Sequence, residues 1–229
     1  MRTAIVVLLL ILTSTSAWAE KRVALVIGAD RYEKMRPLRN AVNAARAMET
    51  TLTELGFDVF IESNRNLRRM RRALEDFEED AAGADVALVF FAGHGVEIEG
   101  INRLLPTDAD STSLDTLKDT SLPLEDVRRI VARIAPTALI VVDACRNAPF
   151  GSSLEGGRGA LLPEDSQVRI SLGFGRMGSA ENTLYAISAA PGETASDGDG
   201  ENSPFAMALP RYLGKQGIGD ARAGRADRG

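Results

Sequence analysis

Leu88-Val89-Phe90-Phe91-Ala92-Gly93-His94-Gly95 and Ala138-Leu139-Ile140-Val141-Val142-Asp143-Ala144-Cys145-Arg146-Asn147 decide how this chain is read. Each is a run of buried-type residues that closes on a reactive side chain. His94 is the single histidine and Cys145 the single cysteine in 229 residues. Open α/β sheets carry their chemistry beyond the carboxyl ends of their strands, so both runs are expected to be strands that stop at a site. A thiol becomes a useful nucleophile only beside a base or a cation. If the two strands are neighbours, the chain can supply a thiol and an imidazole together in only one way.

Working outward, Arg22 to Gly28 (RVALVIG) reads as another buried strand closed by glycine. Leu38 to Leu55 sets Ala41, Ala45, Met48, Leu52 and Leu55 on one helical face, with Gly56 at the end. Phe57 to Ile61 is a short strand. Asn66 opens a helix whose Leu67, Met70, Leu74 and Phe77 recur at spacings of three and four. Its arginines (68, 69, 71, 72) and following acids (75, 76, 78, 79, 80) read as a solvated face with helical ion pairs. A third strand, Asp85 to Phe91, leads to His94. Val96 to Leu105 has a glycine turn at Gly100 and reads as a hairpin, and Pro123 to Ile134 is a helix with proline at its start. Thr137 to Val142 leads to Cys145. Asn147 to Asn182 lacks clear periodicity, Thr183 to Ala189 is a fifth strand, and Ser203 to Leu213 is a last helix. Strand–helix alternation predicts an α/β fold with an open, mostly parallel β-sheet flanked by helices on both faces.

The N-terminus has the pattern of a leader. Met1-Arg2 is a positive start, Ala4 to Leu12 is apolar, and Ala17-Trp18-Ala19 is a small-x-small cleavage site. The apolar run is shorter than the ~20 residues a transmembrane helix needs. Residues 1–19 are therefore expected to be a secretory signal peptide cut after Ala19, which makes the protein periplasmic or secreted, with no membrane attachment after cleavage. A formal charge of −5 without a basic block disfavours nucleic acid as a partner. Export permits disulfides, but one cysteine cannot form one internally. The thiol is then either buried and inert or retained for its reactivity.

Other chemistries fit poorly. One His and one Cys make a zinc site a poor reading. No Gly-x-Ser-x-Gly elbow is present. Ala29-Asp30 after Gly28 breaks the dinucleotide glycine pattern. The acidic loop Asp197-Gly198-Asp199-Gly200-Glu201 lacks the twelve-residue calcium-loop pattern and reads first as a solvated turn.

Several pieces together resemble the caspase-like cysteine peptidases, in particular the bacterial metacaspase type. They are Arg22 to Gly28, Leu38-Arg39-Asn40-Ala41-Val42-Asn43, Ala92-Gly93-His94-Gly95, Leu104-Leu105-Pro106-Thr107-Asp108, Val142-Asp143-Ala144-Cys145-Arg146-Asn147, Ala189-Ala190-Pro191-Gly192 and Asn202-Ser203-Pro204-Phe205. The histidine stands 51 residues before the cysteine, and about 50 is the caspase separation. The resemblance covers residues 21–213 and implies a cysteine-type endopeptidase acting on polypeptides. In it, Cys145 would be the nucleophile and His94 the proton carrier, with backbone N–H groups of Gly95 and Cys145 binding the oxyanion. Asp143, two residues before the nucleophile, would line the first specificity pocket and suit Arg or Lys. Asp197 is the other candidate for that pocket. No cofactor is required, and because some metacaspases use calcium, calcium stays open as a ligand.

Two departures from the resemblance matter. The family carries a second pocket acid in an Asn-Asp-Ala run, and this chain reads Asn43-Ala44-Ala45. Residues 214–229 are poor in apolar side chains and read as a disordered or truncated tail. The alternative reading is therefore a catalytically weak or inactive caspase-like interaction module.

Overall fold

The computed structural model describes residues 20–145, 170–172 and 182–188. In chain order the elements are β1 (Arg22–Gly28), α1 (Ala41–Glu54), β2 (Phe57–Ser63), α2 (Leu67–Asp80), β3 (Val86–Ile98) and β4 (Ile101–Leu104). There follow α3 (Leu114–Asp119), β5 (Leu122–Pro123), α4 (Leu124–Ile134), β6 (Thr137–Cys145), β7 (Ile170–Leu172) and β8 (Thr183–Ile187). The expected leader at 1–19, the expected last helix at 203–213 and the tail at 214–229 lie outside the described residues. Among the described residues, no helix is long and apolar enough to cross a membrane.

Five strands run parallel in the order β2-β1-β3-β6-β8. Alternate residues of β1 divide between two cores, because successive side chains on a strand point to opposite faces. Val23, Leu25 and Ile27 join Met70, Leu74 and Phe77 of α2 and Val127, Val131 and Ile134 of α4. Ala24 and Val26 join Ala41, Ala44, Ala45, Met48 and Leu52 of α1. The sheet is thus covered by helices on both faces, and the predicted fold class holds. Gly28 ends β1 where α1 lies close: a Cβ there would come within 2.9 Å of Ala45 Cβ and 3.0 Å of the Ala41 carbonyl oxygen. Glycine is what lets this helix sit directly on the strand end.

The amphipathic pattern of α2 is realised as read. Asn66 caps it by accepting from the Arg69 amide at 2.9 Å, and Met70, Leu74 and Phe77 are buried. The Arg72–Asp76 pair at 2.9 Å lies on its exposed face, while Glu78 reaches across to Arg133 of α4 at 2.6 Å.

Two expectations need correction. The strand predicted to stop before His94 runs through it to Ile98. Up to His94 it lies between parallel neighbours, and from Gly95 onward it pairs antiparallel with β4 and then β7. Val96 and Ile98 are buried, so the apolar alternation continues past the change of partner. The hairpin turn falls at Glu99 and Gly100, both with left-handed φ (53° and 81°), as a tight two-residue hairpin turn requires. Helix α1 starts at Ala41 and not Leu38: Asn40 is its N-cap, and the bond that closes the first turn runs from the Ala44 amide to the Asn40 carbonyl at 2.8 Å. Helix α3, capped by Ser113, and strands β5 and β7 were not foreseen.

Candidate active site

Strand register decides which residues meet at the carboxyl end of the sheet. Strands β3 and β6 are neighbours, and His94 stands opposite Cys145 on the last rung of their parallel ladder. Neighbouring strands lie about 4.8 Å apart. The preceding rungs pair Gly93 with Ala144 and Ala92 with Asp143. Two residues that are 51 positions apart in sequence thus come onto one rung.

His94 is fully buried. Its main chain is held at both ends: the amide donates to the Tyr32 hydroxyl at 2.7 Å, and the carbonyl accepts from the Leu105 amide at 3.0 Å. The Tyr32 hydroxyl in turn donates to the Leu105 carbonyl at 3.1 Å. The Tyr32 and His94 rings lie with centroids 4.5 Å apart, tilted by 44°. His94 Nε2 is 2.8 Å from the Arg36 carbonyl oxygen. A carbonyl can only accept, so Nε2 carries the proton and, in the neutral ring, Nδ1 holds the lone pair.

Both Tyr32 and Arg36 sit on the segment between β1 and α1, which is tied down along its length. Ala29 donates to the Ala92 carbonyl at 2.9 Å, and the amides of Asp30 and Arg31 share the Asn64 side-chain oxygen at 2.9 and 3.0 Å. Glu33 donates to the Thr107 carbonyl at 2.9 Å, and the Lys34 ammonium meets Asp110 at 2.5 Å. That ammonium, with the Thr112 amide, holds the Asp110 carboxyl down to about 2, so Asp110 stays ionised at any neutral working pH. Gly93 gives the arrangement its room. A Cβ there would fall 2.8 Å from the Tyr32 hydroxyl and 2.6 Å from the edge of the Phe91 ring.

Asp143 is buried at 4% exposure. By strand alternation it shares a face with Val141, hence with the α1 core that also contains Ala92 and Ala44. Ala44, where the resemblance places a second acid, is itself 1% exposed. Gly95 is buried and begins the antiparallel pairing, opposite Leu104. Asp197 and the acidic loop 197–201 lie outside the described residues.

Chemically, an imidazole with a fixed Nε2–H and a basic Nδ1 stands across one rung from the only thiol-bearing residue. Such a pair can move a proton to and from a sulfur nucleophile or its leaving group. Sequence reading singled out His94 and Cys145, which the register brings to one rung, and did not single out Tyr32, Arg36 or Asn64. The Arg36 contribution is a backbone carbonyl, which no residue type announces. Tyr32 is a lone aromatic in a polar loop, with no periodic neighbours to mark it.

Comparison with known proteins adds a family and a fold. A family model described as the caspase domain matches residues 21–221. No curated protein matches. Among solved structures, the Drosophila initiator caspase Dronc is similar with a TM-score of 0.55 and 14% sequence identity, over 85% of this chain and 65% of that one. At that identity the likeness speaks for the fold, and the chain spans somewhat under two thirds of the length of that structure.

Proposed function

The chain belongs to the caspase-domain family of cysteine peptidases, and from that premise we propose that it is an exported cysteine endopeptidase of the metacaspase type, working through a His94–Cys145 dyad. The observation that carries the proposal is the rung on which β3 sets His94 opposite Cys145, with Nε2–H already committed to the Arg36 carbonyl.

In this reading the Cys145 thiolate adds to the scissile carbonyl carbon, and the backbone N–H groups of Gly95 and Cys145 receive the developing oxyanion. His94 delivers a proton to the amine as the C–N bond breaks, which leaves a thioester. A water molecule, losing its proton to His94, then hydrolyses the thioester and returns the thiolate. The steps consume one water per peptide bond and need no oxidant or cofactor.

Asp143 and Asp197 are proposed to line the first specificity pocket and select Arg or Lys. Burial of Asp143 on the sheet face shared with α1 supports a carboxylate beside the nucleophile's strand end. Ala44 on that face leaves the pocket without the acid that the resemblance places there, so the preference is weaker than it would be with that charge added; a hydrogen bond to a charged group is worth roughly 1.5–3 kcal/mol. The same apolar Ala44 is what favours the second reading, a non-catalytic interaction module. One experiment separates the two. Peptide electrophiles ending in Arg, Lys or Asp are offered to the folded and to the unfolded protein, and modification of Cys145 is followed by mass spectrometry. The folded protein is expected to react faster than the unfolded chain, and faster with Arg and Lys than with Asp. Equal labelling in both states supports the module, and preference for the Asp reagent removes the pocket assignment alone.

Export is proposed from Met1-Arg2, the apolar run and Ala17-Trp18-Ala19. N-terminal sequencing of protein recovered from its host is expected to begin at Glu20. Recovery of intact Met1 on cytoplasmic material would sink the assignment.

A further inference from the structure

We propose that Tyr32 is the positioning residue for His94, fixing the imidazole's tautomer and orientation through a hydroxyl bridge that only Gly93 makes room for. This inference rests on the reading of His94 as the group that handles protons. The Tyr32 hydroxyl sits between a buried donor and a buried acceptor, taking the His94 amide at 2.7 Å and giving its proton to the Leu105 carbonyl at 3.1 Å. Leu105 closes the circuit by donating its amide to the His94 carbonyl at 3.0 Å. The same aromatic ring packs against the imidazole at 4.5 Å.

Tyr32 also fixes something it does not touch. Four residues further along the same tied segment, the Arg36 carbonyl holds Nε2 at 2.8 Å. The acceptor that decides the tautomer and the ring that limits imidazole rotation therefore move as one body. That body is locked to β3 by the Tyr32 hydroxyl and to the 105–110 segment by Leu105, Thr107 and Asp110. Without the hydroxyl, the His94 amide and the Leu105 carbonyl each lose this buried partner, and the segment loses its central tie. Gly93 belongs to the device because any β-carbon there would displace the hydroxyl, which lies 2.8 Å from that position.

Because His94 is the only histidine, an untagged protein labelled with ¹⁵N-histidine gives one imidazole spectrum, which reports tautomer directly. The unsubstituted protein is expected to show a single Nε2–H tautomer and a slowly exchanging His94 amide. Tyr32→Phe keeps the ring and removes the bridge. It is expected to give averaged ring nitrogens from both tautomers, faster His94 amide exchange, and a kcat lowered about 10- to 100-fold with KM little changed, the scale of a misplaced catalytic group. A Phe variant with the single tautomer and the original kcat overturns the proposal. Loss of the single tautomer in a protein whose parent cleaves no peptide supports the positioning role and removes the peptidase reading instead. If the Phe variant does not fold, the parent protein still decides: an Nδ1–H tautomer or a mixture overturns the proposal, and a single Nε2–H form with a protected amide supports it.

Discussion

Cys145→Ala is expected to abolish peptide cleavage while leaving the protein folded. The chain holds no other cysteine, so no neighbouring thiol can take over the attack. When a nucleophile that works as a unit with its base is removed from a hydrolase, the loss in kcat is on the order of 10⁶-fold. The fold should tolerate the change. Cys145 is the last residue of β6, and the ladder with β3 is made by backbone groups that alanine retains. A cost of about 1 kcal/mol, ordinary for a single substitution, leaves a cooperative thermal transition. The measurement pairs turnover of an Arg-ending fluorogenic peptide with a melt of the same sample. Cleavage by the purified alanine variant at more than a trace of the original rate would remove the dyad.

The second large effect is at His94, where chemistry and packing have to be separated. His94→Ala removes a fully buried ring together with its hydrogen bond to the Arg36 carbonyl. General acid–base help is worth roughly 10²–10⁴-fold, and a buried acceptor left unpaired costs about 1–3 kcal/mol. The alanine variant should therefore lose both rate and stability. His94→Gln isolates the chemistry, since a glutamine amide can still donate to the carbonyl but cannot carry a proton. Glutamine is expected to be as inactive as alanine and closer to the parent in urea denaturation. A glutamine variant within tenfold of the parent in kcat/KM would show that the imidazole does not move the proton.

Much of this architecture was legible because it is written in apolar periodicity. β1 and α2 were placed almost to the residue, since an unbroken Val/Ile run and an Asn-capped amphipathic helix are strong local signals. The His94–Cys145 rung was legible for a different reason, uniqueness of residue type, which left the strands no alternative pair to present. What stayed hidden was set by tertiary context. Helix α3 is six residues long and shows only one apolar repeat, Leu114 to Leu117, too little for a period. Strand β7 exists because β3 runs past His94 and offers an edge at Val96 to Ile98. The Arg36 carbonyl and the Tyr32 hydroxyl act on a residue about sixty positions away, and no local pattern encodes that distance.

The parallel ladders also have a bearing on when the chain folds. Their smallest sequence separation is that of Arg22 and Phe57, and β1 must wait for Val86 before its second neighbour exists. The β3–β6 ladder begins with Val86 against Thr137, and the outer strand joins later still, with Ala138 against Thr183. Loops of that size close before any contact rewards them, so topologies built from distant pairings form slowly. Nascent α1 and α2 can flicker into place, but they have no sheet to rest on until most of the polypeptide has left the ribosome. For a protein proposed to be translocated, this delay is useful: a polypeptide that has not yet closed its sheet can still be threaded. The rung that pairs His94 with Cys145 needs two strands whose sequences arrive 51 residues apart, so it is assembled late, and the chemistry proposed for the pair has to wait for it.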